Sequence, residues 1–487
     1  MEKLIRVSNT FRGKKLILSP GDYDDFLNKV KVKFNLEPDV VISLEDDHGA
    51  EVDDEVFPTL WEQGGTPNIV FNPASPASSL PSLLNDVESF KQILESYIDS
   101  NPKLTNLISD CNEKSLVDNA AATLLINDFV AKLVELKGDS PSTRDQRLLA
   151  KAIIKILPCW RYPETADGID ILYDEVGRCG LIQMRLRWIH RNLKSDQPGR
   201  APRKTYYDGG PRPKHPKVSS ATIPNNELIA ELNSSTSESE ISRLMKETIE
   251  HRNQIRGSTG QSILKIYPKF AELGYLVNLE FSFMFPDIDQ RFLNIWPDFS
   301  KNLIDNCKNI TKSPSLLKFI GNDLDKWDQS IAALFVLLHL IPPSAQGKGK
   351  GGRCKIEDAK NRLVTYYKAG TPLQSVLDTW NEEISQPALI VLGDTRASLT
   401  SFFILCDRII IPLNAKTSTE AIDSLFKAHY VIGTEYDGNL SGLWKFIQVH
   451  IYQHEVESSL PRKVKQVFQQ ISTYLQLGNT APSSQNV

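Results

Sequence analysis

Apolar positions near the start of the chain follow first a strand-like and then a helix-like period. Leu4–Val7 and Lys14–Leu18 are short apolar runs on either side of a turn, which predicts a β-hairpin. From Tyr23 to Phe34 the apolar positions recur every three or four residues, which predicts a helix with one apolar stripe. Ser19 fits the N-cap of this helix, Pro20 its first position, and Asp22 is an acid of the first turn that caps free N–H groups.

Strand signals return after this helix. Val40–Leu44 is rich in β-branched residues, and Ile69–Phe71 is a second apolar run that predicts a strand. Between them, the pattern predicts a short strand at residues 51–52 and a turn of helix near residues 54–60. The order ββαββαβ over about seventy residues predicts an N-terminal α+β ubiquitin-like roll.

The rest of the chain follows a mostly helical pattern, interrupted by two low-complexity segments. A small β element is expected near residues 388–412, where two apolar runs flank a turn at Gly393–Thr395 and predict an antiparallel pair. The predicted fold class is therefore a multi-domain chain with mostly α-helical domains after the roll. Its predicted divisions are the roll (1–74), a Pro/Ser linker (75–82), a helical domain (83–195), a basic Pro/Gly linker (196–224), a mostly helical α+β domain (225–470) and a loose tail (471–487).

Composition favours a soluble intracellular protein. The 487 residues carry a net charge of −4 and 40% of them are hydrophobic, which is typical of globular domains. No apolar run reaches the length of a membrane span and no secretory leader is recognisable, so we expect no membrane partner. The six cysteines form no Cys-x-x-Cys pair, which favours reduced thiols and a location in the cytoplasm or nucleus.

Charge in the predicted roll is divided into two blocks of opposite sign. Residues 1–33 contain eight Lys or Arg and four acids, whereas residues 34–62 contain ten acids and no Lys or Arg. Complementary potentials set orientation and speed encounter, so such a domain can dock head to tail on another copy or on a relative. A solvated surface with uneven charge is the alternative interpretation. The predicted basic face consists of Arg12, Lys14, Lys15, Lys29 and Lys33, and the predicted acidic face of Glu45, Asp46, Asp47, Asp53, Asp54 and Glu55.

The acidic run also resembles a known family. Leu44–Phe57, with the sequence LEDDHGAEVDDEVF, is similar to the core signature of the CIDE-N domain. That domain is the interaction module of caspase-activated DNase, its inhibitor and the cell-death-inducing effector proteins. Arg6 and Lys29 also stand where the family has basic residues, and the resemblance spans about residues 3–72. It implies a ubiquitin-like fold and head-to-tail oligomerisation in apoptotic or DNA-fragmentation signalling.

The Phox/Bem-type interaction domain is a rival resemblance, because it shares the roll, a basic first half and an acidic turn. Residues 51–55, followed by an aromatic residue, fit CIDE-N better. His48 and the pair Asn72-Pro73 depart from the CIDE-N pattern. Both resemblances imply association through opposite charges.

A second resemblance covers about residues 140–460. Leu340–Lys348 and Leu425–Thr434 look like blocks of uncharacterised proteins named sterile alpha motif domain-containing protein 3-like. That group implies no activity for this chain. The roll stands where such proteins have a sterile alpha motif, and both modules are protein-interaction modules.

Motifs for enzymatic chemistry are weak, so we expect no catalytic residues, no metal and no cofactor. His450 and His454 are four apart on a predicted helix, as in a zinc pair, but the glutamate of the metalloprotease motif does not follow the first histidine. The glycine-rich run at 347–354 lacks the Gly-Lys-Ser/Thr of a phosphate-binding loop. An enzyme within residues 225–460 is an alternative that requires His429, Asp394 and this run to converge.

A nucleic-acid-binding protein is a further alternative, using the basic stretch 185–217. The predicted helix Leu181–Leu193 contains three arginines and Trp188, and residues 194–217 add seven Lys or Arg against two Asp. A helix with a solvated basic side explains the same pattern, and the linker also resembles a nuclear-localisation patch. The function we favour is a non-enzymatic adaptor or regulator, whose partners are CIDE-N-type domains of itself or of other proteins.

Overall fold

The computed structural model describes residues 3–9, 14–19, 22–34, 42–46, 57, 68–73, 86–138, 140–193, 226–257, 262–310, 326–343, 354–380, 386–454 and 460–475. The chain divides into two compact units, which we call the first unit (Met1–Phe90) and the second unit (Lys91–Val487).

The first unit contains a four-stranded sheet and a long helix. β1 (Lys3–Asn9) and β2 (Lys14–Ser19) form an antiparallel hairpin, and α1 (Tyr23–Phe34) follows. β3 (Ile42–Asp46) and β4 (Asn68–Pro73) pair antiparallel, while β4 lies parallel to β1. The strand order is β2-β1-β4-β3, so β2 and β3 are the two edge strands.

The core of the first unit comes from the alternating positions of the strands and from one stripe of α1. Phe26 and Val30 are buried four residues apart on the same side of α1. Phe57 stacks on Phe26 with 4.9 Å between ring centroids and meets Tyr23 edge-on at 5.6 Å. The buried residues that form this core cluster are Ile5, Val7, Phe26, Val30, Ile42, Leu44 and Phe57.

From residue 86 onward the chain is mostly helical. The helices before the basic linker are α2 (Val87–Asp99), α3 (Pro102–Glu113), α4 (Asn119–Lys137), α5 (Thr143–Ile156) and α6 (Leu181–Leu193). Those that follow it are α7 (Asn226–Ser234), α8 (Glu238–Glu247), α9 (Ile249–Gly257), α10 (Ile263–Ile266), α11 (Lys269–Glu272), α12 (Tyr275–Met284), α13 (Arg291–Asp305), α14 (Cys307–Ile310) and α15 (Gln329–Leu340). The last group is α16 (Ile356–Leu363), α17 (Leu373–Thr379), α18 (Ser418–Ile432), α19 (Ser441–Phe446) and α20 (Arg462–Leu475).

A second four-stranded sheet interrupts the last group of helices. Its strands are β5 (Val364–Lys368), β6 (Ala388–Thr395), β7 (Ser398–Cys406) and β8 (Ile409–Pro412). β5 and β6 are parallel, and the other two pairs are antiparallel, in the order β5-β6-β7-β8. The expected β element near residues 388–412 is confirmed.

Three details of this sheet differ from the sequence expectation. The second apolar run, expected as one strand of a pair, divides at Asp407-Arg408 into β7 and β8. β6 runs through Gly393 and the chain reverses at Arg396-Ala397, because irregular pairing at Gly393 carries the strand past the predicted turn. An added Cβ at Gly393 would lie 2.1 Å from the Ser398 carbonyl oxygen, so this close approach requires glycine. β5 was not predicted, since five residues that directly follow a helix show too short a pattern to stand out.

Helix ends follow local capping. α5 begins with a capping box between Ser142 and Asp145, and it ends at Ile156, just ahead of Pro158. α3 was not predicted, although Asn101 caps it by accepting from the Lys103 amide. The predicted helix that carries His450 and His454 is not one continuous α-helix: α19 is followed by a π-helix, Ile447–Ile451, and the helical segment ends there.

The last helix connects the segments on either side of the basic linker. Lys465 Nζ lies 3.0 Å from Asp174 Oδ2, and Gln469 donates a hydrogen bond to the Cys159 carbonyl. α20 therefore packs against the loop region before α6, and both segments belong to the second unit. The predicted linker 196–224 itself lies outside the described residues.

Candidate functional site

The basic residues of the hairpin lie at one edge of the first sheet. Lys14 and Lys15 begin β2 and are in register with Ser8 and Val7 of β1. In the described sheet, β2 has a neighbouring strand on one side only. Arg12, the other basic residue predicted here, lies outside the described residues.

α1, which carries Lys29 and Lys33, contacts β2, the edge strand that begins with Lys14 and Lys15. Asp22 lies just before the helix and caps it, since the amide of Asp25 donates to Asp22 Oδ1 at 2.8 Å. The expected N-cap, Ser19, instead ends β2, and Asp22 is not within the first turn as expected. One turn on, Lys29 Nζ pairs with Asp25 at 3.0 Å while 37% of the Lys29 side chain stays exposed. Lys33 lies in the last turn, where a cation is favoured by the helix dipole.

The acidic residues that the structure describes lie at the opposite edge of the sheet. Glu45 and Asp46 end β3, where they are in register with Val70 and Ile69 of β4. β3 borders only β4 within the described sheet. The other predicted acidic residues, Asp47, Asp53, Asp54 and Glu55, lie outside the described part of the chain.

The sheet separates the two charged edges. Three strand spacings of about 4.8 Å place β2 and β3 about 14 Å apart. This separation exceeds the Debye length of about 8 Å at physiological salt, so opposite charges at the two edges are largely screened from each other.

Sequence reasoning missed a buried ionic cluster in the second unit. Glu280 of α12 accepts hydrogen bonds from Arg252 Nε at 2.8 Å and from Arg256, and all three side chains are fully buried. Arg252 also donates to Thr248 Oγ1 at 2.6 Å, and Arg256 donates to the Val431 carbonyl at 2.8 Å. The cluster thus ties α9 to α12 and α18.

Electrostatics in this cluster keep the carboxylate charged. Burial by itself raises the pKa of Glu280, but the charges of Arg252 and Arg256 outweigh burial and hold that pKa below its usual value. Burial lowers the pKa of Arg256, against the opposing effect of Glu280. The sequence feature that could have predicted this cluster is Glu280 itself, an acid in a mostly apolar helix. A charge that is buried with such a helix requires a partner of opposite charge.

A second buried pair lies within α18. Lys427 Nζ is 2.6 Å from Asp423 Oδ2, and the Tyr452 hydroxyl donates to Asp423 Oδ1 at 2.5 Å. Burial raises the pKa of Asp423 more than the nearby lysine lowers it. Like the Glu280 cluster, this pair fixes packing between helices.

His429 and Asp394 do not form a common site. His429 is wholly buried, its Nδ1 lies 3.0 Å from the Leu425 carbonyl oxygen, and burial lowers its pKa to about 4. Its ring neighbours are Tyr436 and Trp444, whereas Asp394 is exposed on β6. Most of the glycine-rich run lies outside the described residues. His429 and Asp394, which are described, do not lie together as the enzyme alternative requires.

The expectation that His450 and His454 share one helix face is wrong. The helix ends at Ile451 because Gln453 adopts a left-handed φ of 51°. His450 is buried and stacks on Phe468 with 3.7 Å between ring centroids, and burial lowers its pKa to about 3. His454 instead packs edge-on against Phe285 at 5.1 Å.

The predicted basic helix is present as α6, with its arginines and Trp188 in place. Trp188 is 53% exposed, and the Arg185 guanidinium lies 4.3 Å from the centroid of its ring. Elsewhere, the described residues contain no group of three or more His, Cys, Asp or Glu side chains placed to hold a metal ion. No helix in the described ranges has the length and apolar character to cross a bilayer.

Comparison with known proteins adds no relative: no family model, no curated protein and no solved structure matches this chain. The CIDE-N and sterile alpha motif domain-containing protein 3-like resemblances therefore stay predictions.

Proposed function

We propose that this chain is a non-enzymatic adaptor that assembles head to tail through the two edges of its first unit. The observation that carries the proposal is the strand order, which puts Lys14 and Lys15 on one edge strand and Glu45 and Asp46 on the other. Opposite charges placed on one edge would neutralise each other, whereas charges on opposite edges favour a neighbour on each side.

The topology of the first unit supports the ubiquitin-like roll that CIDE-N and Phox/Bem-type domains share. A hairpin, a helix that packs on it and a parallel central pair between β1 and β4 are typical of that roll. In either family, the basic edge of one copy meets the acidic edge of the next. The CIDE-N resemblance adds apoptotic or DNA-fragmentation signalling as the proposed setting and CIDE-N-type domains as the proposed partners.

Head-to-tail contacts have a definite consequence for assembly size. The two surfaces in each contact differ, so every added molecule leaves one basic and one acidic edge open, and growth stops only when a ring closes. Both partners in the proposed contact are charged. The average mass of the assembly should therefore fall as salt rises.

The test uses the full chain and light scattering after size exclusion at 50 and 500 mM NaCl. A basic-edge variant carries glutamate at Lys14, Lys15, Lys29 and Lys33, and an acidic-edge variant carries lysine at Glu45, Asp46, Asp53 and Asp54. We expect each variant alone to be monomeric. A mixture should regain assembly, because the intact edges of the two variants are complementary and the two reversed edges are complementary to each other as well.

A matched control reverses four exposed charges in the second unit, with glutamate at Lys103, Lys246, Lys265 and Lys326. This control should assemble like the unchanged chain. A wild-type chain that stays monomeric at 50 mM NaCl, and that binds no isolated CIDE-N-type or Phox/Bem-type domain, would contradict the proposal. If either variant alone formed complexes of two chains, the interface between chains would lie outside the two charged edges of the first unit.

A further inference from the structure

The solvent side of α6 differs from that of an ordinary surface helix. The exposed positions are Met184, Arg187, Trp188 and Arg191, which are spaced i, i+3, i+4 and i+7 and therefore form one stripe. We call these four residues the α6 stripe. Trp188 is 53% exposed and Met184 is 43% exposed, although large apolar side chains are usually covered.

The stripe is not part of the packing that holds α6 in place. Ile182 and Leu186 are buried on the other side of the helix, and α6 contacts both α4 and α5. Exposure of Trp188 is thus compatible with a firmly packed helix. Arg185 lies at the border between the two sides, where its guanidinium covers the Trp188 ring at 4.3 Å from the centroid.

Charge on this side of α6 has one sign only. Leu181–Leu193 contains three arginines and no Asp or Glu. A positively charged surface with an exposed aromatic ring favours a negatively charged ligand that offers flat π faces. An acidic protein would satisfy the arginines but would not account for the exposed ring.

We propose that the α6 stripe binds single-stranded nucleic acid. Trp188 stacks on one base, Arg187 and Arg191 contact phosphates on either side, and Arg185 holds the indole ring in position. A single strand is favoured over a duplex because a base can stack on a side chain only where it has left its own stack. Phosphate contacts make the binding salt-dependent and tolerant of sequence.

The experiment measures binding of the full chain to a fluorescein-labelled thymidine 20-mer by anisotropy, at several salt concentrations. Trp188→Ala should weaken binding about 5- to 150-fold, as expected for one lost stacked base, and Trp188→Phe should keep most of the affinity. Replacing Arg187 and Arg191 by glutamine should reduce the slope of log K against log salt by about 1.4, because about 0.7 is lost for each single-strand phosphate contact.

Two controls separate the stripe from general surface properties. Leu124→Ala removes another large exposed apolar side chain, and glutamine at Lys103 and Lys246 removes the same number of charges elsewhere. The first should leave affinity unchanged, and the second should change it less than the arginine pair does. Absence of binding at 50 mM salt, equal affinity of Trp188→Ala and wild type, or tighter binding to a duplex of the same length would each overturn the proposal.

Discussion

In the first unit, Lys14 and Lys15 lie at one sheet edge and Glu45 and Asp46 at the other, whereas in the second unit Glu280 is enclosed together with two arginines. Acidic and basic residues thus lie on edge strands in the first unit and are buried as ion pairs in the second. A charge that stays in water costs the fold little. In the interior, each charge depends on its partner.

This difference separates a charge that is available to a partner molecule from one that the fold itself requires. Edge charges can be changed with small effects on stability and large effects on association. Changes in the buried cluster should have the reverse pattern, with large losses of stability in a chain that is otherwise unaltered at its surface. Four experiments test how far the contrast holds.

The largest effect is expected for Glu280→Gln, which leaves Arg252 and Arg256 buried without a compensating charge. Removing one partner of a buried ion pair costs about 3–5 kcal/mol, and two arginines share this carboxylate. Urea unfolding of the second unit measures the loss. The control Glu247→Gln, which breaks an exposed pair with Arg243, should cost at most about 1 kcal/mol. Equal losses in the two variants would show that the buried cluster is not required.

Phe57→Ala should act on the first unit in the same way that Glu280→Gln acts on the second. Truncation of this buried ring, which stacks on Phe26, costs about 3–4 kcal/mol. A small unit has little stability to spare, so we expect rapid amide exchange in β1 and loss of assembly at low salt. The control is Val32→Ala, whose side chain is 76% exposed and whose change should be within about 0.5 kcal/mol. Retained protection in β1 would mean that the ring is not part of a cooperative core.

His450→Leu should alter the pH dependence of the second unit. The pKa of buried His450 is lowered to about 3, so between pH 6.5 and about 3 the unfolded chain binds a proton that the folded chain does not. Stability attributable to this histidine is complete above pH 6.5 and is lost as pH falls through that window. Between pH 6 and pH 5, the free energy of unfolding of the variant should therefore fall by about 1 kcal/mol less than that of the wild type, as measured by urea unfolding. Identical slopes would contradict burial of the neutral ring.

The smallest effect on stability is expected for Lys29→Gln. The pair with Asp25 is partly exposed and four residues apart on a helix, so its loss should cost at most about 0.5 kcal/mol. The same change removes one charge from the basic edge and should weaken assembly at low salt. Thermal unfolding and light scattering on the same samples separate the two effects. A large loss of stability without a change in assembly would reverse our assignment of Lys29 to the interface.

Sequence patterns predicted α1, the first hairpin, the bounds of α6 and a β element near 388–412, because in each case the local period of apolar residues is clear. The site was predicted only as two lists of charged residues. Their placement at opposite edges depends on the parallel pairing of β1 with β4, which joins segments about sixty residues apart in the chain and leaves no local signal.

The sequence by itself determined where apolar stripes and charge blocks lie along the chain, because both depend on neighbouring residues. Only the tertiary structure decided which charged side chains are buried in the interior. Glu280 and Glu247 are both acids on amphipathic or apolar helices, yet only Glu280 meets Arg252 and Arg256 in the interior. The tertiary structure decided the fate of His450 as well, because its π-helical turn brings the ring onto Phe468 of a helix that begins eleven residues beyond Ile451. Burial depends on contacts between distant segments, and those contacts form only when the helices pack.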